Sequence, residues 1–193
     1  MIEQPQQELQ PEPEKKSSFV GTLISFVVLL LFIVGFSWVI RTFVFSAYEI
    51  PSGSMEETIM TGDMVFAEKV SYNFRDVQTG DIVTFTDPEN ADRTLIKRCI
   101  ATAGQTINIT GDGILYIDGQ PQTESYVNGK KTLPLSKTKI SFPYTVPDGC
   151  IWVMGDNRTN SQDSRYFGAI PLSSVTAHAV FVYWPFNHFG ALE

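Results

Sequence analysis

From Ser17 to Ile40 the chain carries no charged residue, and this run restricts what it can fold into more than any other feature. As a helix it extends about 36 Å, at roughly 1.5 Å per residue. The hydrocarbon core of a bilayer is about 30 Å thick, so the run reads as a transmembrane helix over 17–40 with some tilt. Trp38 near its far end suits the interfacial belt. A cleavable leader would have an apolar core of about 7–15 residues and close on a small-x-small site. Here the run is longer, and its end is bulky, with Trp38, Ile40, Phe43 and Phe45. An uncleaved anchor is therefore preferred to a leader or to a buried soluble helix. Lys15 and Lys16 before the run, against Arg41 after it, give a positive-inside signal. That signal puts residues 1–16, a disordered tail rich in Gln, Pro and Glu, in the cytoplasm. It puts a domain spanning 45–188 outside.

That domain reads as mostly β. Segments 65–69, 81–86, 94–100, 106–110, 114–117, 151–154 and 177–184 are short and rich in β-branched or aromatic residues. Turn chemistry separates them at Thr61-Gly62-Asp63, Thr79-Gly80-Asp81, Gly111-Asp112-Gly113 and Asp118-Gly119, the last a strong hairpin signal. No helical periodicity is sustained after residue 45, so a sheet assembly or barrel is expected. Residues 120–147 are irregular, hold Lys130, Lys131, Lys137 and Lys139, and read as a solvated excursion.

Several chemistries are excluded. A net charge of −7 argues against a nucleic-acid partner. Cys99 and Cys150 form no CxxC pair, and no Cys/His cluster has metal-ligand spacing, so no metal and no cofactor is expected. Two small buried apolar residues are the preferred reading of these cysteines, with a disulfide dependent on geometry. A Walker loop and a GxGxxG turn are absent. His178 and His188 are the only histidines, and neither neighbours a nucleophile signature, which removes the usual serine triad.

Two segments remain. Pro51-Ser52-Gly53-Ser54-Met55 sets a hydroxyl among small residues, where Gly53 lets backbone and substrate approach closely. Residues 155–168, GDNRTNSQDSRYFG, hold two Arg, two Asp, two Asn and two Ser between glycines, a composition suited to a hydrogen-bonded web around a site. The first segment resembles the serine box of bacterial type I signal peptidases. Ile96-Lys97-Arg98 is similar to their lysine box, residues 62–69 to the strand after the serine, and residues 155–168 match the family's GDNRxNSxDSRxxG pattern at every fixed position. The boxes stand in family order behind an N-terminal anchor. Two stretches depart from the pattern: Glu56-Glu57-Thr58, where x-Pro-Thr is frequent, and Ala101-Thr102-Ala103-Gly104-Gln105, where a Leu-Pro-Gly-Asp run is frequent.

The resemblance implies a compact antiparallel β-sheet domain, a Ser–Lys dyad and cleavage of signal peptides after a small-x-small motif. Ser54 would be the nucleophile and Lys97 the general base, with its pKa lowered by burial. The Ser54 N–H and Ser52 hydroxyl would form the oxyanion hole. Ser161 would orient the lysine, and Asp163 and Arg165 would support the site as an ion pair, with Asn157 and Arg158 holding the loop together. Ile50, Met55 and Ile96 are the candidate walls of the substrate pocket. The implied partners are secretory preproteins, the lipid membrane and the protein export machinery. Two alternatives stay open: a self-cleaving repressor-type Ser–Lys protease, and a degenerate relative without activity that assists assembly of surface structures.

Overall fold

The computed structural model describes residues 19–136, 138 and 140–192. The expected tail, Lys15, Lys16, Ser17 and Ser18 lie outside them, as do Lys137 and Lys139. The apolar run forms helix α1, Phe19–Phe43, none of which is buried, and it is long and apolar enough to cross a membrane. It continues past the expected end at residue 40, so Arg41 lies in its last turn. By internal contacts the chain divides into residues 1–39 and 40–193.

The second unit is built from β-strands, because its β-branched and aromatic residues alternate between core and solvent. In chain order they are β1 Phe45–Glu49, β2 Met64–Glu68, β3 Ile82–Asp87, β4 Asn90–Thr102, β5 Thr106–Ile109, β6 Leu115–Ile117, β7 Gln120–Pro121, β8 Tyr144–Thr145, β9 Cys150–Met154, β10 Ile170–Pro171, β11 Val175–Trp184 and β12 Gly190–Ala191. One turn of helix, α2 Ser164–Phe167, precedes β10. The large sheet runs β1-β2-β11-β3-β4-β9-β10, with β12 on β11, and the smaller one runs β7-β6-β5-β8. Every recorded pairing is antiparallel.

Three apolar clusters fill the unit. One joins Ile50, Met55 and Ile59 to Val65, Ala67, Ile82 and Val182 of the large sheet. A second centres on Trp152, Ile100, Ile107 and Leu115, and locks the small sheet onto β4 and β9. The third packs Val83, Phe85, Cys99 and Val153. Both cysteines are free thiols, and burial pushes the Cys99 thiol up to about 12.

One expectation needs correction. Residues 120–147 are not simply a solvated excursion: Thr132 and Val146 are buried, and Tyr126, Phe142 and Tyr144 pack on the Trp152 cluster. The lysines and prolines in the segment hide this, because its apolar residues follow neither helical nor strand period.

Candidate active site

Residues 50–63 join β1 to β2, and their ends are pinned together. The Ile50 N–H donates to the Asp63 carbonyl at 2.9 Å, and the Gly62 N–H donates to the Ile50 carbonyl at 2.8 Å. Within this loop Gly53–Met55 makes a single 3-10 turn. Met55 is fully buried beneath it and anchors the turn in the core, which leaves Ser54 at the surface of that core, 7% exposed.

β4 crosses the middle of the large sheet between β3 and β9. Its register sets Lys97 opposite Val83 and Arg98 opposite Met154. The Lys97 ammonium reaches Ser54 Oγ at 2.7 Å and the Ile96 carbonyl at 2.9 Å. Lys97 is only 3% exposed. Burial disfavours its charged form and lowers its pKa to about 8, although the Asp163 carboxylate opposes the shift.

Segment 155–168 wraps the Ser54 turn. The Asn157 N–H donates to the Ser54 carbonyl at 3.1 Å, and its side-chain amide to the Gly53 carbonyl at 2.8 Å. At Gly155 a Cβ would lie 2.3 Å from both the Ser54 carbonyl oxygen and Ser161 Oγ, so this close approach requires glycine. Among the described residues Ser161 Oγ is buried with no hydrogen-bond partner, and Lys97 donates to Ser54 and Ile96 rather than to Ser161.

Three guanidinium groups are buried around the site, each with a carboxylate. Arg98 grips Asp156 through two bonds of 3.0 and 2.8 Å. Arg165 grips Asp163 through two of 2.9 Å, while the Asp163 carboxylate also accepts the N–H of Gly155 at 3.1 Å and caps α2. Arg158 grips Glu124 through two of 2.7 Å and donates to Thr132. Tyr126 lies under the Arg98 guanidinium, 4.0 Å from its carbon to the ring centre, and contacts Arg158 as well.

Glu124 and Tyr126 were not among the expected site residues, yet the sequence held a signal for the first. Segment 155–168 with Arg98 supplies three guanidiniums but two carboxylates. A buried charge demands a partner, so an outside acid was required.

The remaining expected residues fall as follows. Ser52 is exposed, one residue before the turn, in extended backbone. Ile50 and Ile96 line a cleft of about 40 Å³ together with Tyr48, Glu49, Pro51, Thr84, Thr94 and Leu95. Met55 lies in the core instead of lining that cleft. The histidines are engaged elsewhere: His178 faces Glu68 at 3.4 Å and Asp81 at 3.7 Å, and His188 pairs with Asp63 at 2.7 Å. Among the described residues no group of His, Cys, Asp and Glu side chains is arranged to hold a metal ion.

Comparison with known proteins points one way. Residues 23–184 match the family described as "Signal peptidase, peptidase S26". The chain is 38% identical over 174 residues to a probable signal peptidase I-1 of Synechocystis sp., an alignment covering 86% of this chain and 85% of that one. It is 37% identical over 160 residues to a signal peptidase I of Leptolyngbya laminosa, covering 79% and 75%. With a signal peptidase I of Bacillus caldolyticus the identity is 34% over 159 residues, covering 78% and 86%.

Proposed function

The chain belongs to the signal peptidase family, peptidase S26, and we propose that it is a membrane-anchored serine endopeptidase that removes signal peptides with Ser54 as nucleophile and Lys97 as general base. The observation that carries this reading is the 2.7 Å contact between Ser54 Oγ and a Lys97 that is 3% exposed. An exposed lysine, with a pKa near 10.4, holds its lone pair on a proton at neutral pH. A lysine lowered to about 8 is neutral in about a tenth of molecules at pH 7, against fewer than about one in a thousand at the ordinary value.

In the first step the neutral Lys97 amine takes the Ser54 hydroxyl proton as Oγ attacks the scissile carbonyl carbon. The carbonyl π electrons move to oxygen, and the oxyanion accepts from the Ser54 N–H and the Ser52 hydroxyl. Collapse expels the amine of the mature protein, which receives the proton from the Lys97 ammonium. Water then attacks the acyl-enzyme and gives a proton to Lys97. Collapse breaks the bond to Ser54 Oγ, which takes that proton back from the Lys97 ammonium, and the signal peptide leaves as an acid that loses its proton to solvent. The buried Ser161 hydroxyl, unpartnered among the described residues, is suited to hold the ammonium between these transfers. The Asp163–Arg165 pair fixes segment 155–168 beside it.

The cleft beside Ile50 and Ile96 is small enough to favour an alanine methyl over a large side chain. That supports cleavage after small-x-small. Helix α1 would cross the membrane once with residues 1–16 on the cytoplasmic side, and exposed Trp184, Phe186 and Phe189 give the catalytic unit apolar surface for the bilayer. There it would meet preproteins as the export machinery delivers them.

The test is to incubate the detergent-solubilised full chain with a preprotein carrying Ala-x-Ala and sequence the product's N-terminus. A single cut after the second alanine is expected, and phenylalanine at that position should block it. Cleavage elsewhere, or indifference to the phenylalanine, contradicts the reading.

A further inference from the structure

We propose that Asn157 is a positioning residue for the oxyanion hole, holding the Gly53–Ser54 peptide plane so that the Ser54 N–H faces the scissile carbonyl. The inference rests on the Ser54–Lys97 reading and adds the group that aims its oxyanion donor.

The Gly53 carbonyl and the Ser54 N–H belong to one trans peptide unit, in which they point in opposite directions. A bond to the carbonyl oxygen therefore fixes where the N–H points. The Asn157 amide makes that bond at 2.8 Å from a position only 6% exposed. Within the turn the Gly53 carbonyl also accepts the Glu56 N–H, at 3.3 Å, a longer bond than that of Asn157, and glycine lets the peptide rotate at little steric cost, so the shorter Asn157 bond sets its plane. On the far side of the unit the Ser54 N–H has no protein acceptor among the described residues. Drawing electron density toward the Gly53 oxygen also strengthens the N–H as a donor.

The amide orientation of Asn157 is itself determined. Its oxygen lies 3.4 Å from the Lys130 ammonium and 3.3 Å from the Thr159 hydroxyl. An ammonium can only donate, so the oxygen faces Lys130 and the NH2 group faces Gly53. Lys130 is in turn 3.6 Å from the Glu57 carboxylate, three residues past the nucleophile. The backbone N–H of Asn157 holds the Ser54 carbonyl, so residue 157 grips the peptides on both sides of Ser54. Its neighbour Asp156 is locked to Arg98, which adjoins Lys97 on β4. Base and oxyanion donor are thus aligned through one frame.

The experiment compares full-length parent, Asn157→Ala, Lys130→Met, Lys130→Arg and Ser54→Ala in detergent, using a preprotein substrate and a peptide boronate whose tetrahedral adduct puts oxygen in the oxyanion hole. Asn157→Ala should lower kcat about 10- to 100-fold, on the scale of a lost oxyanion interaction, with KM within about twofold. Boronate affinity should fall in parallel with kcat, and the pH midpoint of the rate should stay with that of the parent. Lys130→Met, at a partly exposed residue that leaves the core intact, should lower kcat by a smaller factor, restored by Lys130→Arg. A kcat within twofold of the parent in Asn157→Ala overturns the inference, as does a fall in kcat with boronate affinity unchanged. If Asn157→Ala does not fold, Lys130→Met decides, and an unchanged kcat there overturns it. Failure of the parent to cleave, or cleavage by Ser54→Ala, would instead overturn the Ser54–Lys97 reading beneath it.

Discussion

Lys97 occupies a place in β4 where two opposing effects meet. Burial strips water from its ammonium and lowers the pKa, while the Asp163 and Asp156 carboxylates favour the charged form. Desolvation is the larger and leaves the group near 8. The sign for catalysis follows directly. Below that value the ammonium has no lone pair and cannot accept the Ser54 proton, so the proposed mechanism requires activity to fall as pH falls. We predict that kcat/KM rises about tenfold per pH unit below about 8 and levels off above it. A rate profile from pH 6 to 9.5 checks this. A midpoint near 6.5, the ordinary value for histidine, would contradict it.

At the scale of elements, segment 155–168 is the piece that organises the site, and it acts through buried ion pairs. Such a pair adds little net stability against an apolar replacement, but removing one partner strands the other. Glu124→Ala should leave the buried Arg158 without its carboxylate and cost about 3–5 kcal/mol, read as a lower urea midpoint of the full chain in detergent. Glu124→Gln, which keeps an acceptor, should lose less. Lys130→Met, at a pair that is 30% and 52% exposed, should stay within about 1 kcal/mol. The same element shows what the sequence made legible. Seven strands were readable to within a few residues, because alternation and turn residues mark them. β1 was not, since Phe45–Glu49 alternates between half-buried and exposed positions and none is fully buried. The pairing of Arg158 with Glu124 across 34 positions could be inferred only as a missing charge, because topology alone decides which acid arrives. The contact of Asn157 with Gly53 spans 104 positions and left no local trace.

Across the whole molecule the proposed anchor, the sheet and the proposed dyad form one account. Helix α1 ends at Phe43 and Ser54 follows eleven positions later in the chain, after a single strand. The proposed nucleophile is therefore tied closely in sequence to a helix long and apolar enough to cross a membrane. The two histidines are bound to Glu68, Asp81 and Asp63, so the lysine is the base that geometry offers to Ser54. The most direct measurement is cleavage of an Ala-x-Ala preprotein by full-length Ser54→Ala and Lys97→Ala, each compared with the parent at matched thermal stability. The account predicts that both variants keep the fold and lose cleavage to background, a drop of at least about 10³-fold, comparable to the loss of a triad member. Parent-like cleavage by Lys97→Ala, with the fold intact, would contradict it.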